Sequence, residues 1–485
     1  MKFTHRSTVF NVYPLLLPLL LCLSPGTCLR AQSPASDGQL EVRESARVRP
    51  LRVAEGGTHL AYEDTEAPFF YLGDTAWELL HRCDRAEVRH YLTTRAEQGF
   101  NVIQTVLLAE LEGLTDPNPY GHLPLENQDP TRPVEAYFEH VDFAVHLADS
   151  LGIYLGLLPT WGDKFNKKWG VGPEIFTPEN ARIYGEFLGR RYRNHNVIWI
   201  LGGDRNPEPE DPEFFEGTEY TEDYAIVDAM GRALDATNAG QLITYHPQGG
   251  YGSYQFFHSE VNTWLDFHLF QTGHGTRNDK HNYDFPREGN KTDEHAPVIN
   301  GEPCYEDHPI NWRPANGWFD AYDTRQAAWW SVLAGADGHV FGNHNIWQMW
   351  QPGRKAISAA RTPWREALRY PAAPQMAHVK NLLLQFPYYE MVTDFDYFIQ
   401  APNSGGNEVV TLRTDEGERV LAYVPHGHTL DVLTAKLPDT FTAKWYDPRT
   451  GSSFVFTPER TAGRWRFDPP GEVGRGNDWV LVVTP

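Results

Sequence analysis

Cysteine is scarce in this chain, with four in 485 residues: Cys22, Cys28, Cys83 and Cys304. So few cannot staple a protein of this length, and a hydrophobic core must hold the fold. Positive charge is also short. There are 42 Lys+Arg against 64 Asp+Glu, a net charge of −22. A chain this acidic lacks the cationic footprint that phosphate contacts require, which excludes nucleic acid as a partner. No apolar run reaches the length of a membrane span. Internal repeats and low-complexity linkers are absent. At 22% charged and 41% hydrophobic, the composition is not that of a disordered chain. Tryptophan, by contrast, is plentiful, with 15 residues. Most tryptophans in a large protein are core, but in a cleft their faces stack on sugar rings.

The N-terminus has the layout of a secretory signal. Lys2, His5 and Arg6 form a positive start, Pro14–Leu23 is apolar, and a small-residue cleavage point follows Ala31. Export to the medium or the periplasm is the expectation. Lipidation at Cys28 is a second option, although Pro25-Gly26-Thr27 fits poorly before a modified cysteine. Removing residues 1–31 takes away three basic residues and no acid, leaving 39 basic against 64 acidic, a net of −25. Only Cys83 and Cys304 then remain, either paired or as two separate buried thiols.

From about residue 50 to 350, short apolar runs alternate with helical patterns. The runs are Phe69–Leu72, Val102–Leu108, Tyr154–Leu158, Val197–Leu201, Leu242–Tyr245, Phe267–Phe270, Pro297–Ile299 and His339–Phe341. Between them lie helix starts. Asp84 with Glu87 reads as a capping box, and Thr177-Pro178 as a capping hydroxyl before proline at the first helical position. Eight strands with intervening helices predict an α/β fold, a (β/α)8 TIM barrel, which takes about 250 residues. A doubly wound sheet is less suited, since no G-x-G-x-x-G follows the first strand. Residues 360–386 read as a final helix. Beyond about 390 come seven closely spaced strand-like runs: Val409–Leu412, Val420–Val424, Thr429–Leu433, Thr442–Trp445, Phe454–Phe456, Arg464–Phe467 and Trp479–Val483. They predict a small C-terminal antiparallel β-sandwich. The expected organisation is a signal at 1–31, a barrel domain at 32–388 and a β domain at 389–485.

Function in such a barrel sits at the C-terminal strand ends. Two carboxylates stand out there. Asp204 follows the buried run Val197–Leu201 across Gly202-Gly203, and Glu302 follows Pro297–Ile299 across Asn300-Gly301. Strands four and seven lie on opposite sides of the mouth, so the two can face each other. Glycoside hydrolysis needs that pairing: one carboxylic acid to protonate the leaving oxygen, one carboxylate to attack or to activate water. Asp74 is a helix cap or a substrate ligand. Trp77, Trp161, Trp347 and Trp350 are candidate sugar platforms, and Arg205, Asn206, His246, Gln271 and His274 are candidates for hydroxyl recognition.

These motifs resemble a known family. Tyr71-Leu72-Gly73-Asp74-Thr75-Ala76-Trp77, the tract Asn196–Asn206 and Asn300-Gly301-Glu302-Pro303 look like the apiosidase-like glycoside hydrolases, family 140. In that family a (β/α)8 barrel precedes a β domain of the collagen-binding type. The resemblance spans roughly residues 45–485. It implies a retaining enzyme with Asp204 as acid/base and Glu302 as nucleophile, their carboxyl groups about 5–5.5 Å apart. It also implies release of apiose from galacturonate in the pectic polysaccharide rhamnogalacturonan-II, with no cofactor. A galacturonate-bearing substrate is anionic, so a local cationic patch would have to offset the protein's charge. Lys164, Lys167, Lys168, Arg277, Lys280 and Arg313 fall on mouth loops.

Other readings compete. Another retaining endo- or exo-glycosidase on the same scaffold shares all of these features. A metal-dependent barrel enzyme needs clustered histidines at strand ends, but the His-x-His pair here, His426 and His428, lies in the β domain. No metal site is therefore expected. A non-catalytic secreted carbohydrate-binding protein is the remaining alternative.

Overall fold

The structure, a computed structural model, describes residues 48–207, 221–292, 296–398 and 405–485. The expected signal sequence and the lipidation option at Cys28 lie outside the described residues.

Eight strands form one curled parallel sheet. They are β1 (Tyr71–Thr75), β2 (Val102–Val106), β3 (Tyr154–Leu158), β4 (Val197–Gly202), β5 (Ile243–His246), β6 (His268–Gln271), β7 (Val298–Glu302) and β8 (Gly338–Phe341). Hydrogen bonding runs in the order β5-β4-β3-β2-β1-β8-β7-β6, every neighbour parallel. Alternation along each strand sorts the side chains. Tyr71, Val106, Leu158, Ile198, Leu269, Ile299 and Val340 fill the interior, while Ile103, Leu155, Trp199 and Ile243 face the helices. The outer helices are α1 (Arg85–Glu97), α2 (Glu135–Leu151), α3 (Pro178–Tyr192), α4 (Glu222–Asp235), α5 (His281–Gly289), α6 (Ala321–Leu333) and α7 (Ala372–Leu383). Both predicted caps form. Asp84 accepts from Glu87 N (2.8 Å) while Glu87 accepts from Asp84 N (3.0 Å), and Thr177 and Asn180 make the same reciprocal pair.

The ring has a seam. Between β5 and β6 no ladder forms. Where a crossover helix would lie, residues 247–267 supply the two-residue strand Tyr251–Gly252 and a 3-10 turn at Ser253–Gln255. Closure rests on Thr244 Oγ1 donating to Phe267 O (2.6 Å), Ile243 N donating to Asp266 Oδ2 (2.7 Å) and Asp266 N donating to Ile243 O (2.9 Å). The outer edge of β6 is instead paired antiparallel with Tyr251–Gly252.

Several strands run further toward the mouth than their apolar runs predicted. Gly73–Thr75, His246, Gln271 and Asn300–Glu302 are strand residues, not loop. The polar strand ends carry no apolar signal because they line the opening. The final helix is also broken. Trp364–Ala367 and α7 are separate, and Pro371 precedes α7.

The C-terminal strands are β9 (Val392–Thr393), β10 (Val410–Arg413), β11 (Val420–Val424), β12 (Leu430–Leu433), β13 (Thr442–Tyr446), β14 (Ser453–Phe456), β15 (Glu459–Thr461), β16 (Arg464–Phe467) and β17 (Trp479–Thr484). They make two antiparallel sheets, β9-β10-β11-β17-β13-β14 and β12-β16-β15. Val420, Ala422, Val424, Leu481 and Val483 face the sandwich core. Their alternates Val410, Leu412, Leu421, Tyr423, Val480 and Val482 pack on Trp329, Trp330 and Leu333 of α6 and Met376, Val379 and Leu383 of α7. Helix α6 is thus buried almost all round. Arg325 on α6 makes a bidentate ion pair with Asp478, both bonds 2.7 Å and both groups buried.

Candidate active site

A cleft of about 370 Å³ opens at the C-terminal strand ends, with Asp204 and Glu302 both in its wall. Asp204 reaches it through an unusual backbone. Gly202, Gly203 and Asp204 take φ of +88°, +99° and +56° in succession. Side chains on the two glycines would strike His246 O at 2.6 Å and the Trp161 backbone at 3.1 Å, so only glycine fits. The turn swings Asp204 off the end of β4 and over the mouth.

Histidines surround Glu302. His274 Nε2 lies 3.0 Å from Oε1 in hydrogen-bond geometry. His246 Nε2 lies 3.0 Å from Oε2, close but off the ideal hydrogen-bond line. Asp204 N donates to His246 Nδ1 (3.2 Å), which leaves the imidazole proton on the nitrogen that faces Glu302. One histidine therefore ties the backbone of one carboxylate to the side chain of the other. His246 is itself walled by Trp77 and Trp161, ring centroids 5.5 and 6.1 Å away.

The two carboxyls are driven apart in acidity. Burial, then the charge of Glu302, pushes Asp204 up to about 6. Burial would push Glu302 up too, but the two histidines against it, His246 and His274, hold it down at about 2. Between those values one is an acid and the other a carboxylate. Trp169 Nε1 also donates to Asp204 Oδ2, at 2.8 Å.

Trp77, Trp161, His274, Gln271 and Trp347 line the cleft as expected. Four predicted ligands do not. His246 is fully buried behind Glu302, with its two ring nitrogens turned to Asp204 N and to the Glu302 carboxylate. Asp74 is fully buried and bound by Arg95 Nε and Tyr91 OH, each at 2.5 Å, because its strand continues past it and turns it into the barrel wall. Arg205 is fully buried and spends its donors on backbone carbonyls, with Nε on Asn166 O at 2.8 Å and NH1 on Asp204 O at 2.7 Å, plus Trp169 O. It lies against the Trp169 ring, 3.9 Å from the centroid. Asn206 accepts from Gln248 N (2.9 Å) and pins the loop after β5. Trp350 is not among the lining residues. The cationic patch is likewise not at the cleft. Lys164 is buried against Asp163 at 2.6 Å, and Arg277 is held by Asp323 at 3.2 Å. Lys167, Lys168, Lys280 and Arg313 are exposed outside the wall.

Besides Gly249 and Gly273, five lining residues escaped the sequence reading: Glu110, Trp169, Gln248, Tyr305 and Trp312. Trp169 sits in the run Trp169-Gly170-Val171-Gly172 past β3, which was a usable signal. Trp312 is 48% exposed, against 4–5% for Trp77, Trp161 and Trp347, so it offers the open aromatic face. Tyr305 packs on His274, centroids 4.4 Å apart, in space that only Gly342 leaves free, since a side chain there would meet the ring at 2.1 Å. Trp161 Nε1, Gln271 Oε1 and His274 Nδ1 are buried without a partner in the protein and available to a ligand's hydroxyls.

Residues 54–390 match the family described as "Apiosidase-like, catalytic domain". The chain belongs to that family. Residues 394–484 match "Putative collagen-binding domain of a collagenase". The structure is similar to a solved glycoside hydrolase at 28% identity and a TM-score of 0.78, covering 90% of this chain and 97% of that one. A glycoside hydrolase family 5 protein from Bacteroides vulgatus ATCC 8482 gives the same identity and score, covering 90% and 93%. A further glycoside hydrolase from that organism shares the fold at 15% identity and a TM-score of 0.61, covering 91% of this chain and 83% of that one. No curated protein matches the chain. This apiosidase-like chain is thus a glycoside hydrolase. Among its described residues no helix is long and apolar enough to cross a membrane.

Proposed function

We propose that the chain is an exported, retaining apiosidase that acts on plant cell-wall pectin at apiose–galacturonate linkages. The observation that carries the mechanism is the opposed ionisation of Asp204 and Glu302. Glu302, ionised against two histidines, attacks the anomeric carbon as Asp204 gives its proton to the leaving oxygen. The product is a glycosyl ester on Glu302. Esterification removes the charge that raised Asp204, so Asp204 now takes a proton from water. That water attacks the anomeric carbon, the ester bond breaks, and Glu302 leaves as a carboxylate. Two inversions at one carbon retain its configuration. Trp312 is the stacking platform, and the unpartnered groups of Trp161 and Gln271 receive hydroxyls. The apiose assignment is supported by the family match and the motifs around Asp204 and Glu302. Export is supported by the signal-like residues 1–31. The test is incubation with rhamnogalacturonan-II fragments, with NMR of the first-formed anomer. Release of apiose with retained configuration is expected. Inverted product, or activity confined to another sugar, refutes the corresponding part.

A further inference from the structure

The cleft holds a third carboxyl that the two-carboxylate reaction does not use. Glu110 follows β2 in the loop Leu107-Leu108-Ala109-Glu110 and stands in the wall with Asp204 and Glu302. Its loop is fixed from beneath, where Glu78 Oε1 accepts from Leu111 N at 3.0 Å and Oε2 binds His81 at 2.8 Å. The groups that bear on it electrostatically are Asp163 after β3, Asp204 after β4 and Glu78 after β1, opposed by Arg205; Asp163 also carries Lys164, and Glu78 carries His81 and Arg82. Arg205 has its hydrogen-bond donors on carbonyl oxygens. Among the described residues no lysine or arginine lines the cleft.

An anionic ring in this cleft would meet carboxylates without a cation. An uncharged ring would meet no such repulsion. We propose that Glu110 is a specificity-determining residue that hydrogen-bonds a hydroxyl of an uncharged sugar. The inference rests on the apiosidase reading for the sugar named in the test. A galacturonate attached to that sugar then lies beyond the cleft wall. Burial, followed by Asp163 and Asp204, pushes Glu110 up to about 8, so the donor persists through neutral pH and is lost above it.

The test is binding of free apiose, followed by tryptophan fluorescence from pH 7 to 9, a range above the titration of Asp204. It needs no turnover. Wild type should weaken about fivefold to tenfold across that range, the scale of one lost hydrogen bond. Glu110→Gln keeps an N–H donor and should bind like wild type at pH 7 without the pH dependence. Glu110→Ala should bind about fivefold to tenfold more weakly throughout. A flat wild-type profile, a Gln variant as weak as Ala, or galacturonate binding in preference to every neutral sugar overturns the proposal. If apiose fails to bind while another neutral sugar shows the same pattern, the role of Glu110 stands and the apiose assignment falls.

Discussion

The two ends of the barrel both bury carboxyl groups, and they use them in opposite ways. At the N-terminal end, Asp266 accepts from Ile243 N at 2.7 Å and Asp337 from Val298 N at 3.2 Å. Each ties off the first amide of a strand that has no earlier ladder partner there. Burial pushes them up to about 7 and about 8, as far as or further than Asp204. At the C-terminal end, Asp204, Glu302 and Glu110 share one opening with unpartnered polar groups around it. A raised pKa thus marks burial at both ends. Convergence of carboxyls on a cleft, with one held ionised and another protonated, occurs at the C-terminal end.

That contrast can be broken by experiment. The largest effect belongs to the cleft. Glu302→Gln and Asp204→Asn should each lower kcat by about 10³-fold or more with the fold intact. Asparagine also tolerates the left-handed backbone that position 204 adopts. Near-normal turnover in either variant ends the assignment. Next comes Asp337→Ala, which should cost about 1–3 kcal/mol in denaturant melts by orphaning Val298 N, while kcat and KM stay put. A loss of activity without a loss of stability would erase the distinction between the ends. The pH profile follows. Turnover needs Asp204 protonated, so kcat/KM should fall as pH rises through about 6, while Glu302 stays ionised down to about 2. His274→Phe removes one donor from Glu302 and should move the acid limb upward. A limb that stays in place would show that His274 does not hold the charge. The smallest effect concerns the thiols. Cys83 and Cys304 are both buried and unpaired, so native protein should resist thiol reagents and melt alike with and without reductant.

The sequence carried most of the barrel, because buried strands write continuous apolar runs. β3 matched its run residue for residue, and the capping boxes at Asp84 and Thr177 formed as spelled. It carried less of the mouth. The polar residues that end β1, β5, β6 and β7 look like loop, since a strand that lines a cleft loses its hydrophobic signature at that point. Asp74 was misread as a mouth ligand for the same reason. Asp204 and Glu302 were legible through the glycines that precede them. Glu110 and Trp312 were not, because a lone acid after Leu108-Ala109 and a lone tryptophan before Arg313 have no local pattern. Only the folded loops bring them to Glu302. The cations went astray for an electrostatic reason: in so acidic a chain, Lys164 and Arg277 find carboxylate partners before they find a cleft.

The seam between β5 and β6 has a mechanical meaning. A ring laced by hydrogen bonds at every other joint but closed there by a threonine and an aspartate is a split ring, and a split ring yields at its gap. His246 and Gln271 end the two strands that border it. Any widening of the gap shifts His246 relative to Glu302 across the ring, so the firmness of one weakly laced joint sets how steadily the charge on Glu302 is held.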